Sequence, residues 1–245
     1  LLARARELAV AEHDAFGEAF SGGAAGIVAF LCGRWRDARD LSDRAEAELR
    51  ARTVGAAWEI STSQMFSLWA SVQLGDLGGL EGRLDQIVAD AHARGDLYAA
   101  THVAIGHAHM VGLAADDPER VRAGAIHAMR RWSQAGFQMP HCFDVWAQAQ
   151  TDLYVDGACG DAAWRRVEAA WPAIRGSMLL RVQLIRVLMH YLRGRAALAV
   201  RGDEPAARRA AADAAARLAG DDAGWAQPMA VALRAALAAR RGDLD

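Results

Sequence analysis

The sequence predicts an all-α fold, an α-solenoid of antiparallel helix pairs with about five repeats of roughly 42 residues and about 11–12 helices. Three observations support this fold. Turn signals recur at a nearly constant interval, the segments between them have the composition and apolar spacing of helices, and no alternating β-branched run reaches five residues. At 245 residues, the chain would form one elongated domain that spans 1–245.

The turn signals consist of a glycine that is usually followed by an aspartate. Glycine ends one helix in a left-handed conformation, and aspartate accepts the free N–H groups at the start of the next helix. The signals are Gly33, Gly75-Asp76, Asp116-Asp117-Pro118, Gly160-Asp161, Gly202-Asp203 and Gly242-Asp243. Counted between their first residues, the successive intervals are 42, 41, 44, 42 and 40 residues. Such regular spacing predicts a structural repeat.

A second break divides each interval into two helices. The breaks lie at 53–55, 95–96, 136–140, 176–177 and 220–222. The predicted helices are 22–32, 35–52, 56–74, 77–94, 96–114, 118–135, 140–156, 161–175, 177–201, 204–219 and 222–241, after an irregular helix within 1–20. Alanine, leucine, arginine and glutamate dominate these segments. Leu41, Ala45 and Leu49, spaced four apart, give one of them an apolar face.

Small residues recur around two of these turns. Alanine follows glycine after five positions from Gly33 to Ala38 and from Gly202 to Ala207, and Gly26 lies seven positions before Gly33. This pattern resembles the tetratricopeptide repeat, in which a glycine ends the first helix, a small residue follows in the second and a further glycine packs the pair.

The rest of the chain matches that pattern less closely. The match is loose from Gly75 to Leu80 and from Asp116 to Val121, and it is absent from Gly160 to Arg165. Tetratricopeptide repeats have a period of about 34 residues, so about eight extra residues would lengthen each helix by about one turn. The resemblance implies a right-handed solenoid in which the first helix of each pair faces a concave groove.

Three short segments carry a narrower resemblance. They are Trp58-Glu59, the Arg-Gly-Asp-Leu-Tyr run at 94–98 and the Asp-Leu-Tyr run at 152–154. They resemble the helical C-terminal region of large bacterial serine/threonine protein kinases and related signalling ATPases. The chain contains no glycine-rich kinase loop and no lysine. The resemblance therefore implies a non-catalytic sensory or scaffold arm in bacterial signal transduction, with a catalytic domain upstream of Leu1.

The composition limits the classes of partner. All 28 basic residues are arginine and the net charge is −2, whereas nucleic-acid and anionic-membrane surfaces normally need a basic excess. No apolar run reaches the roughly 20 residues of a membrane span. The cysteines, Cys32, Cys142 and Cys159, lack metal-ligand spacing. We therefore expect a cytoplasmic protein with no cofactor and with neither a nucleic-acid nor a membrane partner.

The two ends of the chain suggest a fragment of a longer protein. The chain starts without methionine and ends just after a turn signal. Terminal repeats normally need a polar cap, so an exposed terminal repeat would allow a homodimer.

Three histidines on one predicted helix raise the alternative of a helical metal-dependent enzyme. His102 and His109 share a face, but His107 lies about 140° away from His102, at about 100° per residue. One ion cannot collect all three from one helix, although His141 and Asp144 on another helix would supply further ligands. We expect neither a metal site nor a catalytic residue.

A serine or cysteine nucleophile is a second catalytic hypothesis. The candidates are Ser61, Ser63, Ser67 and Cys142, which follows His141. No Gly-x-Ser-x-Gly elbow is present, and sequence neighbours on a helix do not face each other.

Three Arg-Gly-Asp triplets, at 94–96, 201–203 and 241–243, are compatible with an integrin ligand. At repeat junctions, however, they are explained by a helix-ending cation, a turn glycine and a capping aspartate.

A polar stripe follows one face of the most apolar predicted helix. Its residues, at i, i+3, i+7 and i+10, are Gln183, Arg186, His190 and Arg193. The stripe is either a solvated outer face or part of the groove, on which the resemblance places Arg186 and Arg193. In the groove, the two arginines would bind an acidic peptide, a carboxylate tail or a phosphate. Reversing both charges would then abolish binding and leave folding intact.

The resemblance places six further residues on the inner wall of the groove: Met65, Trp69, His107, Met110, Gln150 and Tyr154. Methionine and aromatic side chains would hold the apolar anchors of a peptide, although Trp69 is equally expected in the core. The sequence thus predicts a protein-interaction or regulatory scaffold domain that binds a peptide or a partner domain. The alternative is a small-ligand sensor arm of a signalling ATPase or transcription activator, which would need a deep, closed pocket.

Overall fold

A computed structural model describes residues 1–156, 160–202 and 204–241. The described residues form α-helices joined by turns, with no β-strand, which confirms the all-helical class. The helices are α1 Leu2–Ala11, α2 Ala15–Leu31, α3 Trp35–Arg52, α4 Ala57–Leu74, α5 Leu80–Ala93, α6 Leu97–Gly106, α7 Ala108–Ala114, α8 Pro118–Arg131, α9 Met139–Asp156, α10 Asp161–Gly176, α11 Gln183–Ala199, α12 Pro205–Ala219 and α13 Ala226–Arg241. None of the helices in these ranges combines the length and apolar character that crossing a membrane requires.

The chain divides into two compact units, Leu1–Arg94 and Gly95–Asp245. In the first unit, α1, α2, α3 and α4 pack in chain order, and α2 also packs directly on α4. In the second unit, α8 to α13 pack in chain order, and α9 packs on α6 and α7 before it and on α11 after it, while α11 packs on α13. Each unit thus joins consecutive helices and also alternate ones, a pattern typical of stacked helix pairs.

Most of the predicted turn glycines have the left-handed conformation. Positive φ values between 71° and 82° occur at Gly33, Gly55, Gly75, Gly95, Gly136 and Gly202, and Asp116 takes the same region with φ 58°. Gly160 and Gly220 do not, with φ of −77° and −92°. Gly160 is required instead for close packing, because a Cβ there would overlap Ala199, whose carbonyl accepts the Gly160 N–H at 2.8 Å. Asp203, Gly242 and Asp243 lie outside the described residues.

The capping aspartates were predicted correctly at two of the junctions. Asp96 and Asp117 accept the N–H groups of Ala99 and Arg120, at 2.9 and 3.0 Å, and begin α6 and α8. The prediction is wrong for Asp76, which lies four residues before the start of α5 and forms an ion pair with Arg39.

Asp161 is also not a cap, since it is the first residue inside α10 and accepts the Arg201 N–H. An unpredicted cap is Asp14, which accepts the Gly17 N–H at 3.0 Å and begins α2 seven residues earlier than expected.

Two predicted helices are interrupted. The helix expected at 96–114 breaks at His107, whose φ of −126° and ψ of −44° separate α6 from α7. The helix expected at 177–201 starts with a 3₁₀ turn at Met178–Arg181, and α11 begins only after Val182 takes an extended conformation. The starts of α5 and α13 also lie three and four residues later than predicted, at Leu80 and Ala226.

The small residues of the first helix pair lie where α2 and α3 approach closely. A Cβ at Gly26 would lie 2.6 Å from the Ser42 hydroxyl and 3.3 Å from the Ala38 carbonyl oxygen. Ala38 and Ser42 have no exposed surface. The close approach therefore depends on the absence of a side chain at Gly26, as the sequence pattern predicts.

Polar contacts in both units join residues separated by close to the predicted period. In the first unit the ion pairs Arg39–Asp76, Arg83–Asp43 and Arg50–Asp90 span 37, 40 and 40 residues. In the second unit, Trp146–His109 and Tyr98–Met139 span 37 and 41 residues. These contacts therefore bring together residues that lie 37 to 41 positions apart in the sequence.

Candidate functional site

The polar stripe lies on α11, and its first arginine is already neutralised. Arg186 donates to the Asp221 carboxylate at 2.6 and 3.2 Å and to Asp222 at 3.3 Å. The Asp221 side chain is only 5% exposed, so most of its charge is balanced by Arg186. Burial alone would raise the pKa of Asp221, but the Arg186 hydrogen bond and the Ala223 amide outweigh it and lower the pKa.

The second half of the stripe packs against α10 and α12. Arg193 donates to Glu168 at 2.7 Å, lies 3.7 Å from Asp213, and stacks over the Trp171 ring at 4.5 Å. His190 contacts the same tryptophan edge-to-face, and burial together with the charge of Arg217 lowers the pKa of His190 to about 4. The stripe is therefore neither a solvated face nor a pair of unpaired arginines. It joins α11 to its neighbouring helices.

Two further predicted groove residues also have internal partners. Gln150 accepts a hydrogen bond from Arg195 at 2.7 Å, and the exposed Tyr154 donates to Asp116 at 2.6 Å. Met110 is half-buried on α7. Gln150 and Tyr154 thus hold neighbouring elements of the second unit together, and a ligand would have to displace those contacts.

The three histidines are all buried in the core of the second unit. His107 has no exposed surface, so it cannot line an open groove. The His102 ring lies 5.4 Å from the His107 ring and 4.7 Å from Phe143, while His109 Nε2 accepts the Trp146 indole N–H at 3.0 Å. Burial lowers the pKa of His102 and of His109 to about 4, so both are neutral at pH 7.

The residues considered for catalysis lie apart from one another. In the described ranges no three metal-ligating side chains come together, and His141 instead accepts the Gln138 N–H at the start of α9. Burial raises the pKa of the Cys142 thiol to about 12, so it stays protonated at neutral pH. Ser67 donates to Asp43 at 2.6 Å, and Ser61 accepts from Arg94.

The remaining features have structural roles or lie outside the described residues. In the first Arg-Gly-Asp triplet, Gly95 forms the left-handed turn and Asp96 caps α6. The triplets at 201–203 and 241–243 each include residues outside the described ranges. Cys159 also lies outside them. Asp152, which sequence reasoning used only as part of a motif, is a buried carboxylate that accepts from Arg122 and Arg166 at 2.8 and 2.7 Å.

The two groove residues predicted on α4 have different environments. Trp69 is 3% exposed and belongs to the core, whereas Met65 is half-buried. One helical turn before Met65, on the same face, lies half-buried Thr62, and a further turn back lies Trp58, which is 64% exposed. The outward face of α4 is therefore centred on Trp58 rather than on Trp69.

Aromatic side chains of α2 extend this exposed surface. Phe16 and Phe20 are 41% and 45% exposed, and their rings stack at 5.8 Å with an interplanar angle of 12°. Phe20 and Trp58 line one cleft between α2 and α4, with a volume of about 80 Å³. The stacked phenylalanines, this cleft and Trp58 form a continuous surface, which we call the α2–α4 aromatic surface.

The sequence contained a signal for this surface. Phe16, Phe20, Gly23 and Ile27 are spaced by four, three and four residues, which places them on one face of a helix. Asp14 precedes them as a capping residue. The glycine–aspartate turns do not mark the start of α2, because a cap without glycine begins it.

Each unit also contains a larger cleft. A groove of about 590 Å³ lies between α1, α2 and α3, and a cleft of about 550 Å³ lies between α11, α12 and α13. Leu2, Val10 and Leu41 line the first, and Arg208, Leu237 and Arg240 line the second. Both volumes fall within the roughly 300–1,000 Å³ of small-molecule sites.

Comparison of the chain with known protein families, with curated proteins and with solved structures finds no match.

Proposed function

We propose that the chain is a non-catalytic protein-interaction domain, a tetratricopeptide-like right-handed solenoid of long helices that binds a peptide or partner domain on first helices of its pairs. The α2–α4 aromatic surface carries this proposal. Its large aromatic side chains, Phe16, Phe20 and Trp58, are exposed together on α2 and α4, which pack directly on each other. Clustered exposed aromatic residues are typical of interface hot spots, whereas single exposed apolar residues are common everywhere.

The polar contacts of α11 argue against the acidic partner that the sequence predicts. An acidic peptide at Arg186 and Arg193 would compete with Asp221, Asp222 and Glu168, which already occupy those guanidinium groups. The proposal therefore assigns binding to the apolar surface of the first unit. A role in bacterial signalling, next to a catalytic domain on the same polypeptide, remains the biological setting that we propose from the sequence resemblance.

Site-specific photo-cross-linking in the protein's own cells tests this function. A photoreactive phenylalanine analogue would replace Trp58 in one variant and Ile126 in another, since Ile126 is a comparably exposed apolar residue of α8. We expect position 58 to cross-link to one defined segment of one partner, and Phe20→Ala to weaken that product. Equal, diffuse cross-linking from positions 58 and 126 would contradict an interface on the α2–α4 aromatic surface.

A small-ligand sensor is the second candidate function, and the two larger clefts favour it. Their volumes are large enough for a metabolite, whereas the cleft at Phe20 and Trp58 is not. Ligand binding to the folded state raises thermal stability by mass action. A metabolite screen that raises the melting temperature, with loss of the shift in Leu41→Trp or Leu237→Trp, would support a sensor; no shift at millimolar concentrations would count against it.

A further inference from the structure

The helices that form the α2–α4 aromatic surface carry no basic residue. Glu18 is the only charged side chain of α2, and Glu59 is the only one of α4. The helix between them in sequence, α3, carries five arginines and five acidic residues. The two helices that carry the exposed aromatic rings thus contribute only carboxylates to this surface.

The two glutamates differ in their partners. Glu18 accepts a hydrogen bond from Arg52 at 2.7 Å and is neutralised by it. Glu59 lines the cleft between α2 and α4 beside Trp58 and Phe20. Within the described ranges, no hydrogen bond or ion pair reaches the Glu59 carboxylate. A half-buried carboxylate without a cation thus lies next to two exposed aromatic rings.

The size of the cleft selects the kind of group that can enter. Its volume of about 80 Å³ compares with the roughly 30 Å³ that one water occupies in the liquid. It is much smaller than the roughly 300 Å³ at the lower end of small-molecule sites. The cleft therefore accommodates the end of one side chain rather than a whole ligand.

We propose that the cleft receives an arginine side chain that the partner protein presents. Arginine suits this cleft because its planar guanidinium can stack on the Trp58 ring while its N–H groups donate to the Glu59 carboxylate. Apolar residues of the partner on either side would cover Phe16 and Phe20. This inference rests on the proposed function and names the chemistry of the partner at that surface.

The test uses the full chain and a single-residue probe. Nα-acetylarginine amide is titrated while the Trp58 indole N–H resonance is followed by NMR, with Trp58→Phe to assign that resonance. The citrulline analogue has nearly the same shape and no charge, and it serves as the matched probe. We expect a saturable shift with the arginine probe, and none with the citrulline probe at the same concentrations.

Two glutamate variants separate the cleft from general effects of charge. Glu59→Gln is expected to weaken binding of the arginine probe about two- to fivefold, the effect expected for the loss of a partly exposed ion pair. Glu119→Gln is the control, because Glu119 also lies in the first turn of a helix and both variants lose the same interaction with the helix dipole. Binding in Glu119→Gln should equal that of the unmodified chain.

Several outcomes would overturn the arginine proposal. These are an equal response to both probes, no response to either, or unchanged binding in Glu59→Gln. A Trp58 resonance that depends on protein concentration without any probe would identify a second copy of the chain as the occupant, which also contradicts the proposal. Cross-linking from position 58 does not require charge, so a cross-linked partner without arginine selectivity would leave the proposed function standing.

Discussion

The Arg186 guanidinium donates two hydrogen bonds to the Asp221 carboxylate, at 2.6 and 3.2 Å, and joins the start of α11 to the segment that follows α12. The contact spans 35 residues and leaves Asp221 almost fully covered. It explains why an arginine lies on a helix whose other faces are apolar. The polar stripe of α11 holds the second unit together, and its charge is not available to a ligand.

Removing this arginine should therefore destabilise the protein. Arg186→Ala leaves the Asp221 carboxylate covered and without its main partner, which costs about 1–3 kcal/mol. Arg234→Ala, at an exposed position of α13, is the control and should stay within about 0.5 kcal/mol of the unmodified chain. Urea unfolding followed by circular dichroism measures both variants. If Arg186→Ala were as stable as the unmodified chain, the Arg186–Asp221 pair would contribute nothing to stability.

Asp152 is the second charged group on which the second unit depends. It is 3% exposed and accepts from Arg122 on α8 and Arg166 on α10. Asp152→Asn keeps the shape but removes the charge that balances both arginines, so we expect a loss of about 2 kcal/mol.

Asp156→Asn, one turn later at the exposed end of α9, should change the free energy of unfolding by less than about 0.5 kcal/mol. Hydrogen exchange in α8, α9 and α10 locates the effect. The prediction would be contradicted if exchange became faster in α3 and α4 as well. It would also be contradicted if exchange in α8 to α10 did not become faster.

The buried histidines make stability depend on pH. The folded-state pKa of His109 is about 4 because of burial, below the value of about 6.5 in the unfolded chain, so the unfolded state binds more protons between these two values. Stability should then fall as the pH decreases from about 6.5 to about 4.

A glutamine at position 109 tests this, since its carbonyl can still accept the Trp146 N–H but cannot titrate. His109→Gln should reduce the slope of the free energy of unfolding against pH. The reduction should reach at most about 1.4 kcal/mol per pH unit, which corresponds to one proton. His127→Gln, at an exposed position of α8, is the control. An unchanged slope in His109→Gln would mean that His109 titrates alike in both states.

The close approach of α2 and α3 predicts opposite effects for two glycine substitutions. Gly26→Ala places a Cβ against the Ser42 hydroxyl and the Ala38 backbone, which should destabilise the protein by about 1–3 kcal/mol. Gly82→Ala, on the exposed face of α5 where a Cβ meets nothing within 4 Å, should stabilise it by about 0.4–1 kcal/mol. Thermal unfolding compares them. If Gly26→Ala left the stability unchanged, the close approach of α2 and α3 would not depend on the missing side chain at Gly26.

The helices were predictable because their signals are local. Apolar spacing and helix-forming residues identify the interior of each helix, and left-handed glycines such as Gly75 mark ends that tertiary structure does not change. Gly160 was misassigned because its role comes from Ala199, which lies 39 residues later in the sequence. The break at His107 comes directly after Gly106, a weak helix former that the sequence interpretation placed inside one continuous helix.

The candidate site was predictable only in part, for the same reason. Spacing alone shows that Arg186 and Arg193 share a face, but their partners Asp221 and Glu168 lie on other elements of the fold. Periodicity cannot place those carboxylates. The exposure of Trp58, by contrast, depends on which elements cover α4, and only the structure shows it.

The central claim is that a partner binds to the α2–α4 aromatic surface. The most direct measurement is the dissociation constant of the segment cross-linked at position 58, determined for the unmodified chain, for Trp58→Ala and for Ile126→Ala. Exposed aromatic hot spots contribute about 2 kcal/mol or more. We predict that Trp58→Ala weakens binding about 30-fold and that Ile126→Ala leaves it unchanged. Equal affinities for all three proteins, with folding intact by circular dichroism, would contradict the claim.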